Sequence, residues 1–236
     1  MKRAVKVAPK LVIFDVDGVL VDVHGSFHRS ILDTVKHFTG RRFTYNDIQQ
    51  WKSRSGYNDD WRLSTDWVNS LGTKAEYADV KRVFEKMYWG TTGKKGGKRG
   101  NVWREKWLVS PRLLARWAKR AELALFTGRN RRELVHTLKH FGVGKLFSRT
   151  VTMDDVKELK PNPEGLLRLV DGNEPESALY LGDNLDDALA SERAGVPFLG
   201  VLRHGSEAHR VRAGQLRQHG AKIILHSTSE LEKYWK

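Results

Sequence analysis

The sequence predicts an α/β fold: a doubly wound, Rossmann-like parallel sheet into which a helical domain is inserted. Three observations predict it. From about residue 110 onward, short apolar runs alternate with helical periodicities, the pattern of βαβ units. One further strand-like run, Leu11 to Phe14, stands apart from these, separated by a long stretch that is helical in pattern throughout. Two carboxylates, Asp15 and Asp17, follow that first run, and ligands bind at the carboxyl ends of strands in such sheets. The boundaries read from this pattern are residues 1–21 and 109–236 for the α/β core and 22–108 for the helical insertion.

Leu11 to Phe14 is a buried strand, after which Gly18 lets the chain turn. Phe27, Ile31, Val35 and Phe38 recur at helical spacing. Thr44 with Asp47 reads as a capping box for a helix carrying Ile48 and Trp51, interrupted at Gly56. A third helix runs from about Asp60 through Trp67 and Leu71 to Gly72. Thr73 with Glu76 reads as another capping box, ahead of the stripe Tyr77, Val80, Phe84 and Met87, with Gly90 as C-cap. The Gly- and Lys-rich segment 91–101, with Lys94, Lys95, Lys98 and Arg99, cannot bury a face and reads as a solvated loop.

Beyond it, Ser110-Pro111 starts a helix through Leu114 and Trp117. Glu122 to Phe126 is a strand, and Asn130 with Glu133 caps a helix through Val135, Leu138 and Phe141. Phe147 to Thr152 is a strand, and Asn162-Pro163 opens a helix through Leu166, Leu167 and Val170. Ala178 to Leu181, Phe198 to Leu202 and Ile223 to Leu225 are the remaining strands. Leu185 to Ala194 is a helix between the first two, and a short helix ends the chain.

Composition narrows the classes. The hydrophobic fraction of 39% supports a packed core, and the lack of cysteine excludes disulfides and thiolate metal sites. No apolar stretch is long enough to span a membrane, and Asp15 and Asp17 interrupt the first apolar run, which argues against a signal peptide. The expectation is a cytoplasmic protein with no membrane partner. The net charge of +14 favours anionic partners or simply solubility, so nucleic acid stays open without being favoured. Oligomeric state is not legible. Seven of the eight tryptophans fall between Trp51 and Trp117, where packing of a small helical domain is the leading explanation and a stacking platform the lesser one.

Four polar sites line up, each at a strand end or helix start. They are Asp15-Val-Asp17-Gly18, Thr127-Gly128-Arg129, Lys160 before Pro161, and Gly182-Asp183-Asn184-Leu185-Asp186-Asp187. Acids from the first and last could share Mg²⁺, which prefers oxygen ligands. Thr127 and the backbone at Gly128 could hold phosphate oxygens at a helix start, and Lys160 could offset their charge. These parts suit phosphoryl transfer, where positioning and charge stabilisation supply most of the catalysis. Arg129 is open between touching substrate and facing solvent. In the insertion, Arg54, Tyr57 and Asn58 occupy a polar break where a lid could reach a substrate, or form a plain exposed turn.

In these four motifs, from Lys10 to about Leu202, the sequence resembles the haloacid dehalogenase-like hydrolases, and within them the subfamily with an α-helical cap between motifs one and two. The resemblance implies a HAD-like core with a helical cap. It implies Asp15 as the nucleophile that forms an aspartyl-phosphate, and Asp17 as general acid and then base. It implies Thr127, Gly128 and Lys160 as ligands of the phosphoryl group. Mg²⁺ would be held by Asp15, Asp17 through its backbone carbonyl, Asp183, and either Asp187 or Asp186, with the GDxxxD spacing favouring Asp187. An acid at position 17 favours phosphoesters over halogenated substrates. The expected function is a Mg²⁺-dependent phosphatase of a small phosphorylated metabolite. A phosphomutase, a nucleic-acid-end phosphatase and a basic nucleic-acid-binding protein are the alternatives.

Overall fold

Leu11–Phe14 (β1) is apolar at every position because it lies in the middle of a sheet, and all four residues are buried. The structure, a computed structural model, describes residues 8–91, 97–172, 174–203 and 207–235. It divides into two units, Met1–Val21 with Trp107–Lys236, and Asp22–Lys106. The remaining strands are β2 (Val21–Asp22), β3 (Lys106–Trp107), β4 (Glu122–Phe126), β5 (Arg149–Val151), β6 (Ala178–Gly182), β7 (Phe198–Val201) and β8 (Ile224–Leu225). The α-helices are α1 (Phe27–Thr39), α2 (Tyr45–Lys52), α3 (Asp60–Ser70), α4 (Tyr77–Trp89), α5 (Pro111–Trp117), α6 (Arg131–Phe141), α7 (Glu164–Val170), α8 (Leu185–Ala194) and α9 (Glu207–Gln218).

The large sheet is parallel, in the order β5-β4-β1-β6-β7-β8. From β1 the chain winds outward through β4 to β5, then crosses back to β6 and winds the other way. The order therefore reverses beside β1, the point at which open α/β sheets bind ligands. Register sets the height of each strand end. Phe14 lies level with Leu125 of β4 and Leu181 of β6, and Asp15 N–H donates to Leu181 O at 2.8 Å. The residues just beyond these positions, Asp15, Thr127 and Asp183, thus share one edge of the sheet.

Side chains alternate across the two faces. Leu11, Ile13, Phe126 and Tyr180 join Leu166 and Leu169 of α7, Ala188 of α8 and Leu216 of α9 in one buried cluster. On the other face Phe14 stacks on Trp117 of α5 with ring centres 6.2 Å apart. The helical unit has its own core: Phe27 stacks on Tyr88 at 4.4 Å, and Phe43 meets Trp67 at 4.9 Å. Trp61, Trp67 and Trp117 are buried, so packing accounts for them, while Trp103 is 42% exposed.

Several expectations change. The helix expected from Thr73 starts at Tyr77 with Glu76 as its N-cap, so that capping box does not form. The helix expected from Asn162 starts at Glu164, where the Asn162 side chain accepts from the Glu164 N–H at 2.9 Å. Val135 and Leu167, placed on apolar stripes by spacing, are 56% and 47% exposed. Their helices turn narrower faces to the sheet than the pattern implies. Helix α9 was not legible at all, because its apolar content is low. The short C-terminal helix is a tight 3₁₀ segment, Thr228–Lys233. Of the basic loop, Lys94 and Lys95 lie outside the described residues, whereas Arg99 pairs with Gly90 and lies over the Trp103 ring at 4.8 Å.

Helix α7 crosses β4 closely because Gly165 has no side chain. A Cβ there would fall 2.1 Å from the Phe126 ring. Gly165→Ala is expected to destabilise the protein by about 1–3 kcal/mol through overpacking, measured by urea unfolding.

Candidate active site

Three strand ends and one loop build the site. Asp15 extends β1 and is 4% exposed. Gly18, in the turn that follows, adopts φ +78°, and a Cβ on it would lie 2.2 Å from Asp183 Oδ2. The glycine therefore supplies both the left-handed turn and the space for Asp183 to approach. Thr127 follows β4 and is buried; its Oγ1 accepts from the Arg129 N–H at 3.2 Å. Lys160 precedes Pro161 through a cis peptide bond and is 3% exposed.

Lys160 is the centre of the arrangement. Its Nζ donates toward Asp15 Oδ1 at 2.8 Å, Asp187 Oδ1 at 2.7 Å, the Tyr180 hydroxyl at 2.8 Å and Phe126 O at 3.0 Å. Burial works against its charge, yet Asp15 and Asp187 outweigh burial and hold the ammonium well above its ordinary pKa. Burial also pushes the Asp15 carboxyl well above the usual carboxylate range. Lys160 pulls it back, and the charges of Asp187, Asp17 and Asp183 push it further.

Asp187 has a second task. Asn184 is the N-cap of α8, and Asp187 completes the capping box. Its Oδ2 accepts from the N–H groups of Asp183 and Asn184 at 3.1 and 3.3 Å, while Oδ1 accepts from Tyr180 at 2.6 Å and from Lys160. Gly182 permits this, since a Cβ there would lie 2.4 Å from Asp187 Cβ. One oxygen of each of Asp15, Asp183 and Asp187 lies within 4.8 Å of the others, the one such cluster among the described residues. Asp186 is buried but outside it. Asp15 and Asp183 supply hard oxygen donors that fit a cation such as Mg²⁺, with Asp187, already engaged by Lys160 and Tyr180, close by.

For Arg129 one of the two expectations fails, exposure to solvent. It is 1% exposed, so it does not face solvent, and its guanidinium meets Asp17 Oδ1 through Nε at 2.8 Å and Nη2 at 2.6 Å. It also donates to Thr137 Oγ1 of α6. A buried guanidinium requires such partners, and Asp17, the second acid of the first motif, is one of them. Sequence reasoning also missed Tyr180 and Arg212. The Arg212 guanidinium of α9 lies 3.8 Å from Asp183 Oδ2. A tyrosine inside an otherwise apolar buried strand was a signal for the first, because its hydroxyl must find a partner. No comparable signal pointed to Arg212.

Arg54, Tyr57 and Asn58 belong to the helical unit, between α2 and α3. Arg54 lies over the Trp51 ring at 4.9 Å, and Tyr57 donates to Asp66 at 3.3 Å. The Asn58 side-chain nitrogen is buried without a hydrogen-bond partner among the described residues.

A parallel sheet with an acid after its first strand, a hydroxyl after its second and a buried lysine between carboxylates defines an α/β enzyme core. The chain belongs to the haloacid dehalogenase-like hydrolases, whose family model matches residues 9–195. It is 30% identical over 229 residues to the imidazoleglycerol-phosphate dehydratase of Phytophthora nicotianae, covering 90% of this chain and about half (49%) of that relative. It is 29% identical over 196 residues to the pyrophosphatase PpaX of Bacillus velezensis, covering 80% of this chain and 82% of the relative. Among solved structures, a predicted phosphoglycolate phosphatase from Haemophilus somnus superimposes with a TM-score of 0.74 at 21% identity. That match covers 96% of this chain and 97% of the other. Among the described residues no helix is long and apolar enough to cross a membrane.

Removing Lys160 leaves Asp15 and Asp187 facing each other without a cation. In metal-free buffer Lys160→Met is expected to cost about 3–5 kcal/mol at pH 7. Lys160 is the charge that lowers the Asp15 pKa, so without it that pKa rises further, and the folded variant takes up a proton at a pH where the folded wild type does not. The loss should therefore shrink as pH falls toward about 4. Urea titrations at pH 7 and pH 5 check this, and equal losses at both would contradict it.

Proposed function

We propose that this protein is a Mg²⁺-dependent phosphatase that hydrolyses a small phosphorylated metabolite through an aspartyl-phosphate on Asp15. The observation that carries the reading is the buried Lys160 ammonium, 2.8 Å from Asp15 Oδ1 at the carboxyl edge of the sheet. A lysine held there can neutralise an incoming phosphoryl group and keep the nucleophile oriented. The names of the relatives, a pyrophosphatase and a predicted phosphoglycolate phosphatase, agree with a phosphate-bearing metabolite.

In this reading the Asp15 carboxylate attacks phosphorus while Asp17 gives a proton to the departing oxygen. Asp17 then takes a proton from water, the hydroxide attacks the aspartyl-phosphate, and phosphate leaves with Asp15 restored. Thr127 and the Gly128 backbone bind the phosphoryl oxygens beside Lys160. Arg129 orients Asp17 through the ion pair described above. Mg²⁺, held by Asp15, Asp183 and the Asp17 backbone carbonyl with Asp187 close by, would supply positive charge that offsets the negative charge of the phosphate.

Phosphate release should be assayed over phosphorylated sugars, nucleotides, phosphocarboxylates and oligonucleotide ends. Activity is expected with Mg²⁺, absent with EDTA, and abolished by Asp15→Asn. Asp17→Asn should lose about a hundredfold or more. Undiminished turnover in Asp15→Asn would overturn the mechanism. Independently of turnover, millimolar Mg²⁺ should raise the thermal unfolding midpoint, and Asp183→Asn should remove that shift.

A further inference from the structure

Tyr180 stands in the middle of β6, wholly buried, its ring between Phe126 at 6.0 Å and Phe198 at 5.8 Å. Packing alone would be served by phenylalanine. The hydroxyl instead donates to Asp187 Oδ1 at 2.6 Å and accepts from Lys160 Nζ at 2.8 Å. It has one proton, and both of its neighbours are charged groups of the site.

An ammonium on a four-carbon stem is a rotatable point charge with three protons. Lys160 Nζ meets four oxygens within 3.0 Å, two on carboxylates and two neutral, the latter being Tyr180 Oη and Phe126 O. Neutral acceptors hold the nitrogen in place without cancelling its charge. The charge thus stays available to Asp15 and to whatever Asp15 attacks. Asp187 needs the same hydroxyl. The carboxylate offers about four acceptor positions, and Tyr180, Lys160 and two backbone N–H groups occupy them.

We propose that Tyr180 is a positioning residue for the reaction: its hydroxyl locks Asp187 against Lys160 and keeps the ammonium aimed at Asp15. The proposal rests on the phosphatase reading above. Without the hydroxyl, Asp187 Oδ1 loses a donor, the lysine loses a neutral anchor, and the Lys160–Asp15 geometry loosens. Tyr180 itself makes no substrate contact in this reading, so the loss falls on the chemical step more than on binding.

Tyr180→Phe keeps the ring and deletes one oxygen. With p-nitrophenyl phosphate and Mg²⁺, kcat should fall about tenfold while KM stays within twofold, and the rate of Asp15 phosphorylation in a single turnover should fall in parallel. Phe198→Leu loosens the same core and keeps the hydroxyl. It should lower the melting temperature and leave kcat within twofold. A Tyr180→Phe enzyme with wild-type kcat overturns the proposal, as does a kcat loss in Phe198→Leu matching that in Tyr180→Phe. A wild-type protein that releases no phosphate from p-nitrophenyl phosphate or from the substrates above overturns the underlying phosphatase reading instead, so the two failures are distinguishable.

Discussion

A single buried ammonium holds the core of this protein to its site. Lys160 is almost without solvent contact, and a lone charge in such a place would cost several kcal/mol in lost hydration. It is tolerated because Asp15 and Asp187 supply opposite charge while Tyr180 and Phe126 supply neutral oxygens. These groups come from β1, the end of β4, β6 and the first turn of α8. Placing one lysine correctly therefore requires the central strands to be in register and α8 to be seated. The converse also holds: without the lysine, two buried carboxylates repel.

Asp187 shows how closely local structure and site chemistry share atoms. As the third residue of α8 it closes a capping box that satisfies backbone donors, a device found at ordinary helix starts. The oxygen that does not face the backbone turns to Lys160 and Tyr180. Gly182 and Gly18 make room for Asp187 and Asp183, each standing where any Cβ would collide with an acid. Helix nucleation, close packing and charge pairing are thus satisfied by one short stretch, 182–187.

Arg129 adds a constraint across the edge of the sheet. The segment that carries Thr127 also buries a guanidinium, which reaches the Asp17 carboxylate in the loop after β1. The two loops are coupled by charge-assisted hydrogen bonds between elements that are adjacent in the sheet. Thr137 of α6 closes the far side of the guanidinium, which makes the helix part of the support. Asp17 is consequently anchored from the second loop and not only by its own turn.

The sequence alone determined the βα alternation and the helical insertion, and it named five residues that the structure places along one edge of the sheet. Asp15, Thr127, Lys160, Asp183 and Asp187 each carry a local signal, a strand end, a helix start or a motif spacing. Local signals are readable because they act over a few residues. The capping boxes at Thr44 and Asn130 were legible for the same reason. Only the tertiary structure decided where Arg129 points, since its partner Asp17 lies 112 residues away in the chain. It also decided that Tyr180 sits beneath Lys160, that Arg212 of α9 approaches Asp183, and that Val135 and Leu167 remain exposed. Spacing shows which residues share a face of one element. Which faces meet, and how much of each is covered, is set by packing between elements distant in sequence.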